Sequence, residues 1–237
     1  MWNYWILLLV LGGGMYGSVK ARKLTPAAAL AGGVAGFLVF LGAGFTGIAQ
    51  MATFFLLGTS ASSVGLANKV RLGLAEANKG QRQAGQVLAN AGLPALLGLL
   101  AVLLPQQAAL FRLLVAAAFA SACADTLSSE LGNVYGRRFY NILTFKRESR
   151  GPDGVISLEG TLCGVAGSAV IALIYALGFG WHAGVLWIVL AGTAGNLADS
   201  LLGAALERKG VLGNDTVNLL NTLTGALAGW GLWWVFA

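Results

Sequence analysis

All but one of the 15 Lys and Arg residues fall in four short stretches, and the chain between those stretches is almost wholly apolar. Lys20, Arg22 and Lys23 make the first stretch, and Lys69, Arg71, Lys79 and Arg82 the second. Arg137, Arg138, Lys146, Arg147 and Arg150 make the third, Arg208 and Lys209 the fourth, and Arg112 stands apart. An apolar run of about 20 residues crosses the ~30 Å hydrocarbon core of a bilayer. Cations flanking such runs are retained on the cytoplasmic side. The pattern dictates a polytopic membrane protein with its chemistry on the basic, cytoplasmic face.

Composition removes the main alternatives. With 57% hydrophobic and 10% charged residues, the chain is far from the roughly 25% charged residues of a soluble domain. Its 35 glycines suit helices that approach closely in lipid. The 237 residues form one integral-membrane domain, with N-terminal helices over 1–61 and site-bearing helices and loops over 62–236. An isoelectric point near 9.6 raises nucleic acid as a partner. The cations are split among loops rather than set in a stripe, so membrane lipids and phosphates are expected instead. Cys123 and Cys163 lack metal-ligand spacing and read as small buried apolar residues, not a disulfide.

The expected fold is all-α: a polytopic bundle of about eight transmembrane helices over 2–18, 25–41, 45–61, 86–104, 107–130, 156–178, 184–206 and 216–236. Counting the second and third as one gives seven, because both are short and only Gly42-Ala43-Gly44 divides them. Eight spans put every basic cluster inside and both termini outside, in the cell (inner) membrane. The start lacks a basic leader and is followed by Lys20 and Arg22, so a reverse-oriented anchor is expected rather than a cleaved signal. A weak repeat links Ala124-Asp125-Thr126-Leu127 to Ala198-Asp199-Ser200-Leu201, and both to Thr59-Ser60-Ala61-Ser62-Ser63. Three parallel helix–loop–helix units follow from it.

The chemistry gathers where the repeat places acids in apolar helices. An Asp at a span centre costs roughly 2.5–3.5 kcal/mol, so Asp125 and Asp199 call for partners. Ser128 and Ser129 share the helical face of Asp125, Glu130 lies toward the cytoplasm, and Ser200 adjoins Asp199. Such hard oxygen ligands beside basic loops suit Mg²⁺ shared with phosphate oxygens, with Asp125 and Asp199 as its ligands. The bland alternative is a buried ion pair or a helix cap. Glu130 is expected further out, where water can replace it.

The loop 62–85 alternates amides, cations and glycines, offering Asn68, Lys69, Asn78 and Arg82 to anionic oxygens. It lacks a Walker-type phosphate loop. Gly151-Pro152-Asp153-Gly154 marks a tight turn able to aim N–H groups at phosphate, with Arg147 and Arg150 beside it. Asn218 and Asn221 are helical neighbours whose amides need partners. His182, Trp181 and Trp187 read as interfacial anchors, as do Trp230, Trp233 and Trp234. No nucleophile–histidine or zinc arrangement can be assembled.

Taken in order, several strings resemble one family. They are Asn68-Lys69, Glu76-Ala77-Asn78, Gln86-Val87-Leu88-Ala89-Asn90, Asp125-Thr126 with Ser129-Glu130-Leu131-Gly132, and Gly154, Ser157 and Gly160-Thr161. Ala198-Asp199-Ser200-Leu201-Leu202-Gly203-Ala204 and Val217-Asn218-Leu219-Leu220-Asn221 complete the set. The family is the integral-membrane domain of unknown function 92, which includes animal transmembrane protein 19 and the phytyl-phosphate kinase of tocopherol synthesis. The resemblance covers roughly 60–230 and departs from the family's Thr-rich stretch over 137–150, keeping Leu143-Thr144 and Arg147.

It implies a kinase that uses CTP, or ATP in its place, to convert a prenyl monophosphate such as phytyl phosphate to the diphosphate. Asp125, Asp199 and Glu130 would be catalytic. Asn68, Lys69, Glu76, Asn78, Arg82, Asn90, Arg147, Gly151, Gly154, Ser157, Ser200, Asn218 and Asn221 would hold phosphate and nucleotide. Cytidylyl transfer to a lipid phosphate is a close variant, told apart by release of pyrophosphate. A transporter or flippase of anionic lipids or metabolites is the competing class, with the Asp pair coupling to H⁺ or Na⁺.

Overall fold

The structure is a computed structural model that describes residues 2–74 and 80–237. Its helices are α1 (Trp2–Lys20), α2 (Pro26–Ser63), α3 (Leu66–Arg71), α4 (Ala84–Leu103), α5 (Ala108–Tyr135), α6 (Leu158–Phe179), α7 (Gly184–Leu202) and α8 (Asn214–Phe236). A 3₁₀ turn, Pro105–Gln107, leads into α5, and a π turn, Gly203–Glu207, extends α7. The chain is an all-α membrane protein, 80% helical.

Local chemistry sets the helix starts. Pro26 supplies the fixed φ of a first helical position, and Ala28 N–H donates to Thr25 Oγ1 at 3.2 Å. Gln83 and Gln86 form a reciprocal capping box at α4. Ser157 Oγ caps α6 by accepting from Gly160 N–H at 3.1 Å.

The second and third expected spans meet at a break inside α2, where Gly44 adopts φ 61° and ψ −154°. Run straight, the 38 residues of α2 would reach about 57 Å, nearly twice a bilayer core. Instead the chain folds back, and Lys23 Nζ before the first leg lies 3.5 Å from Ser63 Oγ at the end of the second. The break frees the Gly42 carbonyl, which accepts from Arg112 Nε at 2.9 Å. The Arg112 guanidinium lies 5.5 Å from the Phe179 ring centroid. The isolated cation is thus a helix-end clamp at the far end of the bundle.

Five of the described helical segments are long and apolar enough to cross a membrane. They are Pro26–Ser63, Ala84–Leu103, Pro105–Tyr135, Leu158–Phe179 and Gly184–Glu207. α1 and α8 fall outside that set. α5 is the central pillar: Val115 through Ala120 are fully buried, as a helix packed on all sides must be. Around it α2, α4, α6, α7 and α8 turn large side chains outward, among them Leu56, Leu96, Leu177 and Leu186. That inversion suits a lipid surround. Backbones approach through small residues: a Cβ at Gly164 on α6 would lie 2.8 Å from the Ala124 carbonyl of α5. The helix pairs α2–α4, α5–α6 and α7–α8 each pack together, as expected of three hairpin units.

Two features differ from the sequence expectation. The loop before α6 holds a short antiparallel ladder of β1 (Phe139–Asn141) and β2 (Val155–Ser157). Trp187 is buried rather than interfacial, with its ring edge-on to Trp233 at 6.3 Å.

Candidate active site

Asp125 lies in the second half of α5 and Asp199 near the end of α7. The helices come together because Gly192 and Gly195 leave no side chain between them. A Cβ at Gly192 would lie 2.9 Å from Ala120, and one at Gly195 would collide with Ser121. The two carboxyl groups consequently sit within hydrogen-bonding reach of each other. Both residues are partly exposed, as parts of a cavity wall. Asn221 of α8, fully buried, donates from Nδ2 to Asp199 Oδ1 at 3.4 Å. Ser121 Oγ bonds the Asn221 carbonyl at 3.0 Å and also meets its side-chain oxygen. One polar chain therefore joins α5, α8 and α7 behind the acid pair.

The pair faces a polar cavity of about 150 Å³, also lined by Ser128, Asp153, Asn196 and Glu207. A larger cleft of about 600 Å³ shares Asp125, Ser129, Asn133 and Asp153 with it. Glu130, Arg82, Asn90, Asp215 and Asn218 line the cleft as well. The lining itself is acidic, although basic stretches flank these helix ends. Six carboxylates line the two cavities, and among the described residues Arg82 is the one Lys or Arg that does so. Two carboxylates at hydrogen-bonding distance repel, and a proton or a cation shared between them would relieve that repulsion.

The loop before α6 closes one wall. Gly154, at φ 72°, lies so close to α7 that a Cβ there would be 2.5 Å from the Ser200 carbonyl and 2.7 Å from Ala204 N. Only glycine satisfies both the left-handed backbone and the contact. The π turn lets Glu207 line the cavity just where α7 ends, a common use of such bulges. Arg208 follows and fastens the loop: Nε donates to the Asp153 carbonyl at 2.5 Å, and Nη1 to Glu148 Oε1 at 2.8 Å. Hydrogen bonds from Arg208 first, and then from Asn141, hold the Glu148 carboxyl below its ordinary value.

The expected site residues divide. Asp125, Asp199, Arg82, Asn90, Gly151, Gly154, Ser157, Ser200 and Asn218 line one or both cavities, with Asn221 directly behind. The Ser157 hydroxyl is engaged in capping α6, and Ser200 Oγ bonds the Asn196 carbonyl at 3.2 Å. Lys69 is paired with Glu130 rather than presented to a ligand. Its Nζ lies 2.5 Å from Glu130 Oε2, and both residues are buried. Glu130 is accordingly not the water-exposed acid expected. Asn68 is exposed and borders a separate pocket beside Arg150. Arg147 is exposed, bridges to Tyr140 across the loop and lines neither cavity. Glu76 and Asn78 lie outside the described residues.

Asp153, Glu207, Asn133 and Asn196 line the site without having been singled out, and Asn214, at the start of the last helix with Asn218 and Asn221, lines it too. Asn196 carried a signal, since it precedes Asp199 by three residues and so shares its helical face. Among the described residues no three His, Cys, Asp or Glu side chains converge as metal ligands. The Asp125–Asp199 pair suits an ion that takes one or two carboxylates and completes its shell with phosphate and water.

The family described as Integral membrane protein DUF92 matches residues 9–226. The chain is 37% identical to an uncharacterized membrane protein of Methanocaldococcus jannaschii over 89% of its own length and 86% of that protein's. It is 32% identical to the chloroplastic protein VTE6 of Arabidopsis thaliana, over 94% of this chain and 68% of that one. An uncharacterized membrane protein of Synechocystis is 32% identical over 84% and 78% of the two lengths. No solved structure matches.

Proposed function

The chain belongs to the DUF92 integral membrane family, and from that membership and its acidic cleft we propose that it is a lipid-phosphate kinase. It would move the γ-phosphoryl group of CTP or ATP onto a membrane-embedded prenyl monophosphate at the cytoplasmic face. The observation that carries this reading is the meeting of Asp125 and Asp199 in one polar cavity.

A polyphosphate cannot enter a cavity walled by carboxylates unless its charge is neutralised. Asp125 and Asp199 would hold Mg²⁺ against the phosphates, and the ion would supply that neutralisation. Asn221 keeps the Asp199 carboxylate in place, and Arg82 binds the phosphate of the lipid. An oxygen of the lipid phosphate attacks the γ-phosphorus, the bond to the β–γ bridging oxygen breaks, and the nucleoside diphosphate departs with those electrons. An ionised lipid phosphate is already a nucleophile, so the step demands positioning and charge stabilisation rather than a general base. Clustering of the cations at the ends that carry the cleft supports a cytoplasmic site, where nucleotide is available.

The test is direct. Purified protein in lipid nanodiscs is supplied with CTP or ATP and with phytyl, geranylgeranyl or farnesyl monophosphate, and products are read by mass spectrometry. A kinase yields the prenyl diphosphate and a nucleoside diphosphate. Pyrophosphate with a cytidylylated lipid would assign nucleotidyl transfer instead, and no product with any pair would remove the enzyme reading.

A further inference from the structure

A further cavity, of about 160 Å³, lies between α1, α2 and α4. Val10, Met15, Ile48, Met51, Phe55 and Val87 make it apolar. Three of its lining residues, Arg82, Gln86 and Asn90, also line the polar cleft. The two spaces therefore meet along one face of α4 and at the residue just before its cap. The guanidinium stands at that junction, 5.5 Å from the Phe54 ring centroid.

We propose that this groove seats the lipid chain of the phosphorylated substrate, with Arg82 gripping the phosphate where groove and cleft join. The proposal rests on the kinase reading and names the part of the molecule that selects the acceptor. Its physical basis is the order of surfaces. An amphiphile with an anionic end needs an apolar channel, then a cation, then the reacting groups. The groove, Arg82 and the Asp125–Asp199 pair stand in that order.

Size decides what is selected. Pockets that engulf a ligand run to about 300–1,000 Å³, so a groove of about 160 Å³ holds only the part of the chain next to the phosphate. The remainder trails past α1 into the bilayer. Discrimination falls on the first isoprene units, and total chain length is tolerated. The occupant must also be a phosphomonoester, because phosphoryl transfer requires a terminal phosphate oxygen. A bilayer phosphodiester has two chains and no such monoester, and phosphatidic acid keeps the monoester but carries two chains.

Two glycines allow the groove to be filled without disturbing the core. A Cβ at Gly14 meets nothing within 4 Å, and one at Gly32 meets only Val87 Cγ1 at 3.8 Å and Met51 Cε at 4.0 Å. Both sit inside helices, where replacing glycine favours the helix.

The experiment uses the full chain in nanodiscs without nucleotide, and a geranylgeranyl monophosphate carrying a diazirine in its second isoprene unit. Irradiation should label peptides covering 10–18 of α1 and 48–55 of α2. Unlabelled geranylgeranyl monophosphate should compete at least about tenfold better than geranylgeraniol or diacyl phosphatidic acid, and Gly32→Leu or Gly14→Phe should lower labelling by a similar factor. Equal competition by phosphatidic acid would make the groove an ordinary lipid site and overturn the proposal, as would labelling unaffected by either folded variant. Labelling that follows this pattern without any diphosphate formation in the kinase assay would sink the kinase reading and leave the groove. Turnover without labelling would do the reverse.

Discussion

Lys69 Nζ lies 2.5 Å from Glu130 Oε2, with 3% and 11% of the two side chains exposed. Ser62 Oγ donates to the other Glu130 oxygen at 3.0 Å, and Lys69 Nζ also reaches the Ala61 carbonyl at 3.1 Å. The pair locks α3 and the end of α2 onto α5, one turn beyond Asp125.

Breaking a buried pair leaves one charge without compensation, at a cost of about 3–5 kcal/mol, whereas replacing both partners by apolar groups is often neutral. Lys69→Met or Glu130→Gln alone should therefore lower the thermal unfolding midpoint, and Lys69→Met/Glu130→Leu should recover most of the loss. Single variants that unfold with the wild type, yet raise KM for nucleotide, would return Lys69 to phosphate binding.

Asn221 connects Ser121 to Asp199, so it is a positioning residue. Asn221→Leu should lower kcat by about 10–100-fold, as the loss of an outer partner of a metal ligand does. KM for the prenyl phosphate should barely move. Asn221→Gln or Asn221→Asp turning over like wild type beside an equally active Asn221→Leu would reduce the amide to an interhelical contact.

Much of this architecture is legible in the chain. The cation clusters separate the helices, and Gly42-Ala43-Gly44 marks the reversal that Gly44 performs with its positive φ. The Ala-Asp-Thr/Ser-Leu repeat picks out the two acids that meet. What sequence spacing does not carry is the partner across space. Lys69 and Glu130 are 61 residues apart, so a buried cation looks like one more member of a basic loop. Glu207, beside Arg208 and Lys209, is hidden by the same clustering. The three-residue strands β1 and β2 are too short to impose a period on a stretch dominated by charge.

The clamp on the loop before α6 is pH-dependent. Bonding to Arg208 keeps the Glu148 carboxyl below its ordinary 4.5. A depressed acid contributes stability above its unfolded value and loses it as pH falls through the folded one. Amides of 139–157 should stay protected from hydrogen exchange near neutrality and open once the pH falls below the range in which a carboxylate stays ionised. Arg208→Gln should show the open pattern at neutral pH, and equal protection at both pH values would remove the clamp.

Gly154 is held by its backbone and by the proximity of α7. Gly154→Ala should cost about 1–3 kcal/mol, the range for overpacking and left-handed strain. It should also lower turnover more than Gly210→Ala, whose Cβ meets nothing within 4 Å despite a φ of 68°. Equal effects would mean that strain alone, and not the contact with α7, matters at Gly154.

The most direct measurement is the double-mutant cycle at the acid pair, with prenyl diphosphate formation as readout and unfolding followed in parallel. If Asp125 and Asp199 act on one phosphate-bound ion, Asp125→Asn and Asp199→Asn should each lower kcat by at least ~10²-fold, about 2.7 kcal/mol. The double variant should be scarcely worse than either, because both work through the same group. All three proteins should remain folded. Near-wild-type turnover in either single variant, or losses that multiply in the double, would contradict a shared site.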